Sequence, residues 1–323
     1  ATVKRLWREV DPRLDGLPEK PVSPAPRTAP GNLKIAWRMM QIVARLAAAS
    51  LFSFGRFDQW QVAYRLGGDR LDQSGLKFIA PSHTGFWADP FIAEREGRRF
   101  IFFEELSPDT NQGHLAAIEV FDDGKTGEPV NVLVRDEHLS YPFLFEYAGS
   151  LFMVPECSAR GRIEAFRCEQ FPDRWAPHAV LIDDVVAFDP TLIEHDGLWW
   201  MFATIQHDGN TWNDELNLFY ATNPFAEWIP HALNPVKLDV RAARPAGAIF
   251  SANGKLYRPG QDCSGRYGRA ISIQEIRRMT PHEYEEVEVR RIPANFAPDA
   301  LGTHTINQAH GIVVYDCEVR ARK

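Results

Sequence analysis

The sequence predicts an all-β protein: a five-bladed β-propeller, residues 55–323, preceded by an N-terminal helical extension, residues 1–54. Three observations predict it. Five segments share one pattern, each holds a turn that closes on glycine, and the segments recur at a period near fifty residues.

The five segments are ADPFIAEREGRRFIFFEE, SYPFLFEYAGSLFMVPEC, FDPTLIEHDGLWWMFATI, ARPAGAIFSANGKLYRPGQD and GTHTINQAHGIVVYDCEV. Aligned on Pro90, Pro142, Pro190, Pro245 and His304, they place turn glycines at Gly97, Gly149, Gly197, Gly254 and Gly311. Four glycines lie seven residues after their anchor, and Gly254 lies nine after, a two-residue insertion. The anchors are 52, 48, 55 and 59 residues apart. One β-hairpin per period of this length signals a propeller, with blades starting near 89, 141, 189, 244 and 303. The remainder of each period supplies two outer strands, as GHLAAIEVF and VNVLVRD do after the first hairpin. Little chain remains after Val319, so the alternating strand FDQWQVAYRL, ahead of the first blade, is expected to complete the last one. A β-sandwich with similar hairpins is the competing architecture.

The extension reads differently. Residues 21–30, PVSPAPRTAP, hold four prolines and read as a linker. Ile35, Met39, Ile42, Val43 and Leu46 then fall at helical spacing. The stretch 34–52 carries Lys34, Arg38 and Arg45, too much charge for a comfortable membrane span, so membrane contact is expected only through this helix lying on a surface.

Composition narrows the function. The chain has 323 residues, with nine Trp, 21 Phe and eight Tyr, enough to bury a large core. A net charge of −7 leaves no basic field for a phosphate backbone, so nucleic acid is not expected as a partner. Cys157, Cys168, Cys263 and Cys317 form no C-x-x-C pair and read as reduced thiols. No signal peptide is visible and the first residue is Ala1, so the reading is cytoplasmic, with a start that is processed or cut. No G-x-S-x-G, P-loop or G-x-G-x-x-G motif is present, which leaves serine hydrolase, NTPase and dinucleotide chemistry without support.

Propeller geometry turns the alignment into a map of one axial mouth. The innermost strand of each blade starts near the axis and the antiparallel second strand returns to the same face. An inner ring then holds Asp89, Tyr141, Asp189, Arg244 and His304. A second ring, fourteen or fifteen residues after each anchor and, with the two-residue insertion, sixteen or seventeen after Pro245, holds Glu104 and Glu105, Glu156, Thr204, Gln261 and Asp262, and Glu318. Several carboxylates crowded around a polar pocket suit acid–base chemistry, because crowding drives their pKa values apart. Phe86, Trp87 and Tyr141 would add flat apolar faces for sugar rings. The plain alternative for each Asp-Pro pair is a residue that caps a strand entry. His207, in the turn His207-Asp208-Gly209-Asn210, is placed at the rim of the pocket. The turn Asp122-Asp123-Gly124 is a poor calcium loop.

At these residues the chain resembles the five-bladed propellers of glycoside hydrolase families 43 and 32. Asp89 in FWADPF and Asp189 in AFDPTL match the two axial aspartates of those enzymes. The resemblance implies a base or nucleophile at Asp89, and at Asp189 a residue that tunes pKa and holds the sugar. His304 in THT would match a histidine lining an axial channel filled by water or calcium. No cofactor is required on this reading, and a calcium ion near His304 is allowed. A second resemblance covers roughly residues 55–320. HLSYPFLFE, VPECS, ARPAG, LYRPGQDCS and YGRAISI are similar to the N-terminal domain of glucosamine inositolphosphorylceramide transferases. Related domains are in some cases joined to a formyltransferase-like module.

One departure matters. Family 43 enzymes carry their general acid, a glutamate, at the start of the fourth blade, where this chain has Arg244. The acid would then come from Glu156 or Glu104, with Glu105 as a substitute, and Arg244 would bind a carboxylate or phosphate on a sugar. The expected function is therefore a carbohydrate-active enzyme that cleaves or transfers a glycosyl unit on a glycan or glycoconjugate, one with an acidic or phosphorylated sugar if Arg244 binds it. Asp89, Asp189, Glu156, Glu105 and Glu104 are its catalytic candidates. Arg244, His304, Tyr141, Trp87, Asp262, Gln261 and His207 are its substrate-binding candidates. The alternative is a non-catalytic sugar-binding module accompanying a glycosyltransferase or formyltransferase domain. A scaffold with its axial charges locked in ion pairs ranks third.

Overall fold

A computed structural model describes residues 56–322, apart from 83 and 298. The expected linker and the helix over 34–52 lie outside the described residues. Those described fall within one compact unit, Gly55–Lys323.

The unit is a five-bladed propeller. Blade one is a four-stranded antiparallel meander of Phe86–Arg95, Arg98–Ser107, Gln112–Val120 and Val130–Leu133. Blade two runs Ser140–Tyr147, Ser150–Glu156, Arg162–Gln170 and Arg174–Asp183. Blade three begins Val186–His195 and Leu198–Gln206, followed by Glu215–Ala221 and short outer pairings. Blade four is Phe250–Ala252, Lys255–Asp262, Ala270–Met279 and Tyr284–Pro293. Its first regular strand begins at Phe250, later than the sequence alignment suggests, because Arg244–Ile249 enters as an irregular segment tied by an isolated Pro245–Gly260 bridge.

The fifth blade closes the ring from both ends of the chain. Ile306–Ala309 pairs with Ile312–Arg322. Arg56–Leu66 then pairs antiparallel with that second strand from Arg56–Arg322 to Leu66–Ile312. The early strand supplies the third position, as its sequence position suggested, and Lys77–Ile79 supplies the fourth.

All five hairpins turn on an X-Gly pair with both residues left-handed: Glu96-Gly97, Ala148-Gly149, Asp196-Gly197, Asn253-Gly254 and His310-Gly311. That is the conformation a two-residue type I′ turn needs, and its twist matches that of the strands.

The core lies in five seams between neighbouring blades. Alternation along each second strand feeds two seams at once. In blade one, Phe100 and Phe102 face blade two, while Ile101 and Phe103 face blade five. In blade three, Trp199 and Met201 pack toward blade two, and Trp200 and Phe202 toward blade four. This two-sided burial explains why these strands read as unbroken apolar runs.

Candidate active site at the propeller axis

Asp89, Tyr141 and Asp189 precede Pro90, Pro142 and Pro190, and all three have positive φ, at 52°, 45° and 51°. Each sits in a β-bulge, where the register slips between Ala88 and Phe91, Ser140 and Phe143, and Phe188 and Thr191. Left-handed backbone at non-glycine residues costs on the order of 1–3 kcal/mol and persists only where surroundings hold it. Here the bulge re-aims the side chain across the axis.

Two linked groups of charges result. In the first, Arg244 donates from Nε to Asp189 Oδ2 at 2.5 Å and from Nη2 to Asp189 Oδ1 at 3.2 Å. Its Nη2 also reaches Glu156 Oε2 at 3.3 Å, and the Asp189 backbone N–H donates to the same oxygen at 3.2 Å. Gln261 Nε2 adds a bond to Asp189 Oδ2 at 2.8 Å. In the second group, Thr305 Oγ1 donates to Asp89 Oδ1 at 2.7 Å, and His304 Nε2 lies 3.8 Å from that oxygen. His304 Nδ1 is paired with Asp316. Asp316 Oδ1 accepts the backbone N–H groups of His304 and Thr305 at 2.7 and 3.0 Å. Glu104 stands nearby, 3.0 Å from His138 Nε2.

Burial and charge separate the protonation behaviour of these groups. Asp189 is wholly buried and Asp89, Glu156 and Arg244 are 4–7 % exposed. Burial lifts Asp89 to about 7, with Asp189 and Glu104 adding repulsion and His304 opposing. Burial, then the Asp189 charge, lifts Glu156 well above the usual range despite Arg244. Burial alone would lower His304, but Asp316 and Asp89 outweigh it and raise it to about 9. The site therefore holds a carboxylate bound by an arginine fork beside two carboxyls that keep protons readily.

Of the residues expected here, the structure brings together Asp89, Asp189, Glu156, Glu104, Arg244, Gln261 and His304. Others it turns elsewhere. Glu105 alternates to the other face of its strand and meets His114 at 3.6 Å. Asp262, one residue past Gln261, pairs with Arg291 of its own blade. Trp87 is buried in the seam against Phe103, ring centroids 4.6 Å apart, so it presents no open face. Tyr141 is fully buried, its hydroxyl bonded to Thr191 Oγ1 and the Gly247 N–H, both at 2.8 Å. His207 lies on the loop after the second strand of blade three and contacts Glu215 at 2.7 Å. Glu318 opposes Gly302 as the spacing implies, but its carboxylate is taken by Arg266. The axial acid of this blade is Asp316, two residues earlier. Strand alternation from Glu318 was the signal for it.

Asp89, His304 and Asp316 offer ligand atoms within 4.8 Å of one another. Calcium takes about six to eight oxygen ligands. Two carboxylates and an imidazole nitrogen fall short of that oxygen set.

Fold and site together define a five-bladed propeller with an acid-lined axis. The chain belongs to the family described as "Glucosamine inositolphosphorylceramide transferase 1, N-terminal", which it matches over residues 77–309. Glucosamine inositolphosphorylceramide transferase 1 of Oryza sativa subsp. japonica is 38% identical over 210 residues, 64% of this chain and 28% of that protein. The Arabidopsis thaliana protein of the same name is 36% identical over 211 residues, 64% of this chain and 27% of the relative. The matched region thus spans little more than a quarter of those relatives.

Among solved structures, a family 117 glycoside hydrolase from Zobellia galactanivorans superposes with a TM-score of 0.52 at 12% identity, covering 81% of this chain and 90% of that one. The exo-β-1,3-galactanase 1,3Gal43A from Clostridium thermocellum gives 0.52 at 10%, covering 80% and 62%. The catalytic domain of a Coprinopsis cinerea GH62 α-L-arabinofuranosidase gives 0.51 at 12%, covering 81% and 99%. At these identities the likeness is one of fold.

Proposed function

We propose that this propeller is a carbohydrate-active domain that takes a sugar of a glycan or glycoconjugate at its axial mouth and cleaves or transfers the glycosyl unit there. One observation carries the reading: Asp189 is gripped by Arg244, while Asp89 and Glu156 beside it are raised, Asp89 to about 7. A pair of carboxyls at one site, one of them holding its proton toward neutral pH, is what glycosyl chemistry uses. Glu156, which keeps its proton, acts as the general acid toward the leaving oxygen. Asp89 acts as base or nucleophile, and protonated His304 beside it favours its ionised form. Asp189 orients Arg244. An acidic or phosphorylated sugar would meet Arg244 through donors that Asp189 and Glu156 do not occupy, since those two take Nε and Nη2. The relatives are named as glucosamine inositolphosphorylceramide transferases, a name that joins a sugar with a phosphoinositol lipid, and this chain is assigned to glycoconjugate chemistry on that basis. Its four cysteines are free thiols, which fits the cytoplasmic setting we assign.

The test is product formation from a panel of soluble glycans and glycosylated inositolphosphoceramides, followed by mass spectrometry. Asp89→Asn and Glu156→Gln should each lower turnover by roughly a hundredfold or more. Full turnover in Asp89→Asn would remove the assignment.

A second reading is a sugar-binding module serving a transferase or formyltransferase domain. The Arg244 fork favours it, because an arginine stands where family 43 enzymes carry their acid. It predicts glycan binding that survives Glu156→Gln and no product from the wild-type chain.

A further inference from the structure

Aromatic side chains from three separate parts of the ring meet around Arg244. The Arg244 guanidinium lies 5.3 Å from the Phe188 ring centre and 5.4 Å from that of Tyr267. Phe188 is followed outward by Trp212, ring centroids 6.3 Å apart. Tyr267 stands edge-on to Trp60 at 6.3 Å and to His304 at 5.1 Å. Trp60 and His304 are themselves stacked at 4.2 Å.

These positions share the mouth. Trp212 is on the loop that follows Leu198–Gln206, and Tyr267 on the loop that follows Lys255–Asp262. Both loops leave from strand ends that deliver residues to the axis, Gln261 among them. Trp60 pairs with Glu318 on the closing strand. The Tyr267 loop is pressed into place: Gly268 has φ +61°, and a Cβ there would come within 2.6 Å of the Trp60 ring. The Thr303 N–H donates to Gly268 O at 2.8 Å.

Phe188 is buried, but Trp212 and Tyr267 are 50% and 40% exposed. Two large aromatic side chains thus stay partly open to water beside a ring of buried carboxylates. They match the C–H face of a pyranose, whose hydroxyls would point toward the acids.

We propose that Trp212 and Tyr267, backed by Phe188 and Trp60, form a sugar-stacking collar over the axial carboxyls, and that they select ligands with an exposed pyranose ring. The collar rests on the reading that the mouth takes a sugar, and it deepens that reading by naming residues that touch the ring. Arg244 lies against Phe188 and Tyr267 at the floor of the collar. The collar binds the sugar, and the axial carboxyls act on it.

The indole N–H resonances of the full chain, assigned with Trp212→Phe and Trp60→Phe, report on it. The probes are the methyl glycosides of glucose, glucosamine, galactose, mannose and xylose, together with short oligosaccharides of each. At least one probe should shift the Trp212 and Trp60 signals saturably. Trp212→Ala and Tyr267→Ala should each weaken that binding by roughly five- to tenfold, the scale of one aromatic stacking contact. Tyr267→Phe should restore it. Probes that move neither signal, or alanine variants that bind unchanged, would overturn the collar. The two readings fail separately. Turnover with an unaltered KM in Trp212→Ala and Tyr267→Ala would sink the collar and keep the chemistry. Collar binding without turnover would keep the collar and sink the chemistry.

Discussion

Arg244 from blade four holds Asp189 from blade three with two parallel donors, Nε to Oδ2 at 2.5 Å and Nη2 to Oδ1 at 3.2 Å. The pair is almost completely shielded from water, so neither charge can fall back on hydration if the other is removed. Breaking such a pair by truncating one partner costs about 3–5 kcal/mol, much of it the penalty for the stranded charge.

Arg244→Ala should therefore lower the urea midpoint of the propeller by an amount equivalent to about 3–5 kcal/mol. Adding Asp189→Asn to that variant should recover part of the loss, because the stranded charge disappears. Equal midpoints for wild type and Arg244→Ala would show that the fork contributes nothing to the fold.

Stability should fall as pH rises from weakly acid to alkaline. His304 is raised from 6.5 to about 9, so its contribution is full below pH 6.5 and lost as pH climbs through about 9. Asp89 is raised from 3.8 to about 7, so the folded state favours the protonated carboxyl, and this contribution is lost between those values as pH rises. The histidine contributes up to about 3 kcal/mol by linkage. Urea unfolding at pH 6 and pH 9 should show the loss in wild type, and a flatter response in His304→Gln. An unchanged slope in that variant would assign the pH effect to other groups.

Two glycine substitutions should differ for separable reasons. Gly197 has φ +75° and open space where a Cβ would stand, so Gly197→Ala carries only the backbone cost, about 1 kcal/mol. At Gly260 a Cβ would come within 2.4 Å of Ala242 O, backbone of the segment leading to Arg244. Gly260→Ala should cost about 2–3 kcal/mol through overpacking. Thermal melts of both variants check the order, and a reversed order would mean that the Ala242 segment yields without cost.

Removal of the closing strand should cost the fold its cooperativity. Arg56–Leu66 pairs along its whole length with Ile312–Arg322, and Val62 and Tyr64 bury with Ile312 and Val314 in one seam. A chain beginning at residue 80 would expose a long unpaired edge, a template for aggregation. It should elute as aggregates and show no sigmoidal melt. A monomer with a wild-type melt would mean that blade five stands without its third strand.

The five-fold plan was written locally, in signals that need no distant partner. The left-handed pairs from Glu96-Gly97 to His310-Gly311 are two-residue turns whose glycine is visible at a fixed phase, and the apolar runs on either side define the hairpins. The Asp-Pro pairs marked Asp89 and Asp189 for the same reason. What only the tertiary structure decided is parity and partnership. The bulge between Ala88 and Phe91 offsets the register by one residue, and a one-residue offset exchanges the two faces of a strand, so which of Glu104 and Glu105 turns to the axis depends on pairing that the spacing does not display. Choosing Asp316 over Glu318 likewise needed the contacts of His304 and Arg266. Arg244 reads from sequence as an open anion binder. It became a committed one only when ring closure set it against Asp189 and Glu156, 55 and 88 residues away along the chain.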